Sequence, residues 1–187
     1  GGGSGFHYSK VMDMIEIGIG YAPKGKSANG SGGVGGTGGG ASAVSAFVKI
    51  DPMDGLEIGF GTGETSDSNG TDTSQTDDHT TAYITYVYGP VTVGYQESEV
   101  DKYNSSNDDE RTRWGVLYAV NDELSISYQD HVNDDNKVAT DEDATGWSAS
   151  YTVGSMTFKA HRNSATNVGN AVANESEHTE VGVTFAF

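Results

Sequence analysis

The sequence has 187 residues, a formal net charge of −17 and no cysteine. The acidic balance argues against a general nucleic-acid binder, because phosphate backbones are bound by basic surfaces. Without cysteine the chain has no disulfides, no thiolate metal site and no cysteine nucleophile. The uncharged apolar runs fall well short of the roughly 20 residues of a transmembrane helix, which excludes helical membrane proteins but leaves membrane β-barrels open.

Apolar residues alternate with polar residues or glycine along most of the chain, which is the pattern of strands with two different faces. Near the amino terminus, the segment from Phe6 to Met14 indicates the tail of an upstream strand followed by a turn. After it the alternation predicts ten strands, at 15–21, 44–50, 56–60, 82–88, 91–95, 114–120, 124–128, 147–153, 156–160 and 181–187.

The predicted connections alternate between long and short. The long ones are 23–42, 63–79, 97–110, 130–145 and 163–177. The short ones are Asp51–Gly55, Gly89–Pro90, Asn121–Glu123 and Gly154–Ser155, whose residue types favour tight turns. Nineteen of the 27 acids fall in the four long connections after residue 62. Long loops at one end and tight turns at the other are typical of a transmembrane barrel, and aromatic residues near the predicted strand ends fit its interfacial girdles.

The last eight residues carry a more specific pattern. They place Glu180, Gly182, Phe185 and Phe187 at polar, glycine and aromatic positions, and the sequence stops on phenylalanine. This segment resembles the carboxy-terminal signal by which the assembly machinery recognises outer-membrane β-barrels. An ordinary amphipathic edge strand is the alternative interpretation of the same residues.

The whole chain is similar to the carboxy-terminal part of Gram-negative general porins, which are trimeric channels with 16 or 18 strands in each subunit. The segments Asp54–Gly59 and Asn121–Tyr128 resemble their periplasmic turn and following strand. The chain is shorter than a porin subunit, so we expect ten or eleven strands of a probable 16-stranded barrel, in one domain over residues 1–187. The resemblance implies an antiparallel up-and-down barrel in the outer membrane.

If the fold is a barrel, strand alternation assigns most charged side chains within strands to the lumen. The predicted pore-lining residues are Glu16, Lys49, Glu57, Arg111, Arg113, Lys159, His161 and Glu180. Opposed rows of acids and bases across a water-filled lumen would filter charged and dipolar solutes. Solvated wall residues without a filtering role are an equally good interpretation. Arg162 falls on the lipid side, where a long side chain near the rim can reach water.

We looked for catalytic and metal-binding groups as well. His79 and His131 each follow an aspartate, Asp78 and Asp130, but solvent-exposed histidines at strand ends explain both pairs, and no nucleophile motif accompanies them. We therefore expect no enzyme activity, no catalytic residue, no metal site and no cofactor. Weak Ca²⁺ binding at the acidic external segments 67–72 and 141–143 is a further hypothesis, with solvated loops as its alternative.

The main prediction is a passive diffusion channel in the Gram-negative outer membrane. The expected partners are small hydrophilic solutes and ions, outer-membrane lipid and lipopolysaccharide, the barrel assembly machinery and two further copies in a homotrimer, with no nucleic acid. The first alternative is a complete ten-stranded outer-membrane barrel that acts as an enzyme or adhesin. The second is a soluble calcium-binding β-sandwich or secreted repeat protein.

Overall fold

The computed structural model describes residues 5–23, 42–66, 76–103, 108–135 and 140–186. They form eleven strands: β1 (Phe6–Met12), β2 (Ile15–Ala22), β3 (Ala43–Met53), β4 (Leu56–Ser66), β5 (Thr76–Tyr88), β6 (Val91–Asp101), β7 (Asp109–Ala119), β8 (Leu124–Asp135), β9 (Glu142–Val153), β10 (Met156–Thr166) and β11 (Glu175–Phe185). The predicted glycine-rich connection and the last residue, Phe187, lie outside the described residues, except for residues 23 and 42 at the ends of that connection.

All eleven strands belong to one sheet in which each strand pairs antiparallel with the next strand in sequence. This is the up-and-down topology that the sequence predicts, and the segment before residue 15 contains the expected additional strand, β1, followed by a turn. Within the described residues β1 and β11 form the two edges and do not pair with each other, so the sheet is not closed. A complete ten-stranded barrel does not accommodate this arrangement of eleven strands.

The connections differ in length at the two ends of the sheet. One end carries the short turns at 13–14, 54–55, 89–90, 120–123 and 154–155, and the other end carries the longer connections. Positive φ angles of 79° at Gly55 and 59° at Gly154 permit two of the tight turns. The Asn121 side chain forms the turn before β8, since its Oδ1 accepts hydrogen bonds from the amides of Glu123 and Leu124 at 2.9 and 2.8 Å.

Two boundaries differ from the sequence prediction. The predicted turn Asp51–Gly55 is shorter, because β3 continues to Met53. Its pairing with β4 is irregular between Ile50 and Met53, and Pro52 lies at that irregularity, where a missing backbone donor is tolerated.

The long connections are also shorter than predicted, because the strands extend well past the apolar segments. β5 begins at Thr76 and β8 continues to Asp135. Most of the acids assigned to loops therefore lie on these strand extensions. Both faces of an extension are polar, so the apolar alternation disappears there, while the backbone ladder continues to satisfy its hydrogen bonds.

The sheet has no hydrophobic core. None of the hydrophobic side chains in the described parts of the chain is buried, and many large ones are exposed on one face of the sheet. Examples are Ile19 at 54%, Phe60 at 48% and Trp147 at 61% exposure. A continuous apolar face without a protein partner requires another apolar environment, which a lipid bilayer supplies. Among the described residues, no helix is long and apolar enough to cross a membrane.

Aromatic side chains mark the border of this apolar face toward the longer connections. Trp114, Tyr128 and Trp147 pack in a row across β7, β8 and β9, with ring centroids 5.2 and 4.6 Å apart. Directly beyond the row the outward positions become charged, as the Tyr128 hydroxyl donates to Asp130 at 3.4 Å and Arg162 pairs with Glu177 at 3.0 Å. A girdle with an apolar side and a polar side matches a membrane interface.

The two faces of β5 give a direct test. Ile84 lies on the apolar face of the sheet, and its neighbour Thr85 lies on the opposite face. Ile84→Lys places a charge in the hydrocarbon layer and is expected to lower the free energy of unfolding in lipid vesicles by about 2–4 kcal/mol. Thr85→Lys is the matched control and should change it by less than about 1 kcal/mol, because the charge meets water. Equal effects in urea titrations of the full chain would contradict the assignment of faces.

Candidate pore wall

The strand register decides which side chains share a face. Glu16 pairs with Lys49, Lys49 pairs with Gly59, and His161 pairs with Glu180. Following these pairs from strand to strand places all eight predicted pore-lining residues on the face opposite to the apolar one, which we call the inward face. It carries Glu16, Lys49, Glu57, Arg111, Arg113, Lys159, His161 and Glu180.

The first inward cluster lies toward the short-turn end of β2, β3 and β4. Nζ of Lys49 lies 3.3 Å from the Glu57 carboxylate and 3.8 Å from those of Glu16 and Asp51. The Tyr83 hydroxyl donates a hydrogen bond of 2.8 Å to Glu57. Glu16 and Glu57 lie on the two strands adjacent to that of Lys49, and Asp51 lies two residues along the same strand. Three carboxylates around one lysine leave the cluster with a net negative charge.

Two aromatic rings lie flat against glycines on the same face. A Cβ atom on Gly18 would be 2.1 Å from the Phe47 ring, and one on Gly59 would be 2.1 Å from the Tyr83 ring. Because glycine has no side chain, each ring packs directly on the backbone, as aromatic rings do over glycines in other sheets. Because its ring lies over Gly59, the Tyr83 hydroxyl reaches Glu57.

The second cluster lies farther out on β7 and β8. The Arg111 side chain donates to Oδ1 of Asn133 at 3.0 Å and lies 3.8 Å from the Asp109 carboxylate. Arg113 donates to Nδ1 of His131 at 3.3 Å. A concavity of 530 Å³ borders this cluster, and its lining includes Arg113 and His131. The two arginines are thus held against the wall by polar neighbours, and Arg113 borders an open, water-accessible space.

The connection after β10 folds back onto the outer ends of β8 and β9. Asn170 is 7% exposed, the one polar or charged side chain that is buried among the described residues. Its Nδ2 donates to the carbonyl oxygens of Asn133 and Thr140 at 3.2 and 3.3 Å, and its Oδ1 accepts from Nδ2 of Asn133 at 3.4 Å. The Gly169 amide donates to Glu142 at 2.7 Å. These bonds fix the segment 167–174 over the strand ends, a contact that the sequence pattern did not predict.

The two histidine–aspartate pairs singled out in the sequence do not come together. Neighbouring residues in a strand point to opposite faces, so His131 faces inward while Asp130 faces outward. His79 likewise faces inward, where its Nε2 lies 3.0 Å from Oγ1 of Thr65, and Asp78 faces outward. Neither pair has the geometry of a base with its orienting carboxylate.

The carboxy-terminal strand places the predicted assembly residues on both faces. Glu180 and Gly182 face inward and Phe185 faces outward, whereas Phe187 lies outside the described residues. His178 shares the inward face with Glu180, and His178 Nε2 lies 3.5 Å from the Glu180 carboxylate. His178 is not assigned to this face from the sequence, although its spacing of two residues from Glu180 implies a shared face.

The segments proposed for weak Ca²⁺ binding are only partly described. Residues 67–72 lie outside the described residues. In the second segment, the Asp141 carbonyl accepts a hydrogen bond from Asn167 at 3.0 Å and the Glu142 carboxylate accepts from Gly169. Both groups hold the segment 167–174 in place, so Ca²⁺ binding there stays a prediction.

Comparison with known proteins supports the architecture. No protein-family model and no curated relative matches the chain. Among solved structures, the anion-selective porin from Comamonas acidovorans matches with a TM-score of 0.72 and 13% identity, over 97% of this chain and 58% of that chain. Outer-membrane-expressed OmpT of Vibrio cholerae matches with a TM-score of 0.65 and 17% identity, over 97% of this chain and 64% of that chain. A trimer form of in-vitro folded OmpT has a TM-score of 0.58 and 17% identity, over 96% and 63% of the two chains.

These likenesses show the fold. The chain has the architecture of the outer-membrane β-barrels, so the predicted all-β, antiparallel up-and-down fold is confirmed. They also support the predicted location in a Gram-negative outer membrane. The chain spans less than two thirds of the length of each of these three solved structures.

The ring-over-glycine contact predicts an asymmetric response to alanine. Gly59→Ala forces the Tyr83 ring away from the wall, and we expect it to lower the free energy of unfolding by about 1–3 kcal/mol, as overpacking does. Gly182→Ala is the matched control, since a Cβ atom there meets nothing within 4 Å. Urea titrations in vesicles measure both, and similar values for the two variants would contradict the contact.

The buried amide of Asn170 predicts a second response. Asn170→Gly removes the side-chain hydrogen bonds of this residue, and glycine adopts the positive φ of 56° without steric strain. Amide exchange in segment 167–174 is expected to become about tenfold faster or more, because each lost bond contributes roughly 1 kcal/mol. Asn174→Ala serves as control, since its amide makes only a 3.4 Å bond to the Val168 carbonyl. Unchanged exchange in the Asn170 variant would show that the segment is held by other contacts.

Proposed function

We propose that this chain forms wall strands of an outer-membrane porin, a water-filled channel through which small hydrophilic solutes and ions diffuse passively. The observation that carries the proposal is the division of one coreless sheet into an apolar outward face and a charged inward face. Charged side chains at membrane depth are tolerated where they meet water, and a lumen provides that water. The likeness to an anion-selective porin supports the same conclusion.

The inward charges supply the filtering. A fixed charge beside a narrow water path attracts ions of opposite sign and repels ions of like sign. The cluster around Lys49 is net negative and favours cations near the short-turn end. Arg111 and Arg113 place positive charge farther out, beyond which lie the acidic strand extensions. The channel needs no covalent chemistry, and the proposal includes neither an enzyme activity nor a cofactor.

The proposal extends to the partners. The outward apolar face meets lipid, and the charged rim beyond the aromatic row faces lipopolysaccharide, where weakly bound Ca²⁺ would bridge acidic groups. Phe185 and the inward Glu180 and Gly182 belong to the segment that the assembly machinery reads. We propose a homotrimer of subunits with 16 strands, in keeping with the trimer form reported for one structural neighbour.

Planar-bilayer recordings of the purified full-length protein, with all strands of the subunit, test the proposal. We expect discrete conductance steps with a nearly linear current–voltage relation, as an open water-filled pore gives. Purified, correctly folded protein that inserts into bilayers without any conductance would defeat the channel. Heat-dependent gel mobility establishes folding independently of conductance.

Charge variants test which residues face the ions. Glu16→Gln combined with Glu57→Gln removes the net negative charge of the cluster, because only Asp51 then balances Lys49, and is expected to raise relative anion permeability by up to about tenfold. Arg111→Gln with Arg113→Gln should shift the reversal potential in the opposite direction.

Arg162→Gln is the control, because Arg162 faces outward and pairs with Glu177 at 3.0 Å. It should leave the reversal potential in a salt gradient unchanged. A shift with the control, or none with the inward variants, would mean that the ions do not pass along this face.

A further inference from the structure

Three potential metal ligands meet on the inward face of β10 and β11. His161 pairs directly with Glu180 across the two strands, and His178 lies two residues before Glu180 on the same face. The ligand atoms of these three side chains all lie within 4.8 Å of one another. They come from two hydrogen-bonded strands, so the backbone ladder holds their relative positions.

The distances fit a shared cation better than direct hydrogen bonds. Oε2 of Glu180 lies 3.6 Å from Nε2 of His161 and 3.5 Å from Nε2 of His178, which is too long for a good hydrogen bond. A Zn²⁺ ion binds nitrogen and oxygen ligands at about 2.0–2.2 Å, and in tetrahedral geometry its ligands are then about 3.3–3.6 Å apart. Both measured separations fall in or at the edge of this range.

The surroundings leave room for the remaining coordination positions. A concavity of 270 Å³ adjoins His161 and is lined by Ser127, Gln129, Ser148 and Asn163, among others. Of the three ligands only His161 lines this concavity, so its hydroxyl and amide groups can hold water molecules on the His161 side of the ion. The nearest charged inward neighbour along β10 is Lys159, two residues from His161, which weakens cation binding without blocking the site.

We propose that His161, His178 and Glu180 bind one divalent transition-metal ion of the Zn²⁺ class on the inward face. Two imidazoles and one carboxylate select zinc and its neighbours, whereas Ca²⁺ and Mg²⁺ prefer shells of oxygen. From the sequence no metal is expected, His161 and Glu180 are assigned to the pore wall, and His178 receives no role. The site does not depend on the proposed channel.

Isothermal titration of the full chain with Zn²⁺ tests the site. Millimolar Ca²⁺ in the buffer occupies the acidic surface groups, so that only a nitrogen-containing site competes for zinc. We expect one Zn²⁺ per chain. Either His178→Gln or His161→Gln should raise the Kd for Zn²⁺ at least about tenfold, because loss of a group that only hydrogen-bonds a metal ligand already lowers metal affinity by about that factor. Zinc-edge X-ray absorption should show two imidazole ligands.

His131→Gln is the matched control, since His131 also faces inward but contacts Arg113 and the Thr112 carbonyl instead. It should bind Zn²⁺ like the unchanged protein. Unaltered affinity in both the His161 and His178 variants, an equal loss in the control, or an oxygen-only zinc shell would each overturn the proposal. Unchanged heat-dependent gel mobility ensures that every variant compared is folded.

Discussion

The structure depends on one constraint: a sheet of eleven strands presents a continuous apolar face that no part of the described chain covers. In water such a face would aggregate, and in a soluble sandwich a second sheet would bury it. Lipid covers it without any further protein. Each strand pairs with its neighbours in sequence, which satisfies the backbone polar groups between the strands inside a bilayer, and within the described residues only the outer edges of β1 and β11 are left unpaired.

The inward face follows from the same alternation, but it carries charged side chains that must be held next to water. Its charges are held in local groups, such as Lys49 among three carboxylates and Arg111 between Asn133 and Asp109. Each group keeps the side chains close to the wall, and the rings of Phe47 and Tyr83 lie flat over glycines. An arrangement of this kind leaves the space in front of the wall to water, as the proposed diffusion channel requires.

At the outer end of the sheet both faces carry polar side chains, which suits contact with water on both sides. Beyond the row of Trp114, Tyr128 and Trp147 the strands continue as polar ladders, and segment 167–174 is fixed to them through Asn170. At membrane depth, by contrast, the groups of neighbouring charged side chains in the described residues lie on the inward side, and Lys10 of β1 is a single charge on the face of Ile17. His161, His178 and Glu180 are such a group, and strand pairing alone brings them together.

The sequence alone determined the strand type, the two faces and the polarity of the connections, because each depends on residues that are close in sequence. Alternation assigned Glu16, Lys49 and Glu57 to one face, and the register places them there. Strand ends were predicted poorly, because the extension of β8 to Asp135 is polar on both faces and carries no alternation.

Only the tertiary structure decided what depends on pairing between strands. Composition could not show that Lys49 lies among acids rather than opposite them, because that follows from the register of β2, β3 and β4. The burial of Asn170 depends on contacts with Thr140 and Asn133, which lie 30 and 37 positions away. His178 was overlooked because its partner His161 lies on the neighbouring strand. The two-residue repeat of side chains along a strand fixes the face on which a residue lies, whereas its neighbours on that face depend on the register between strands.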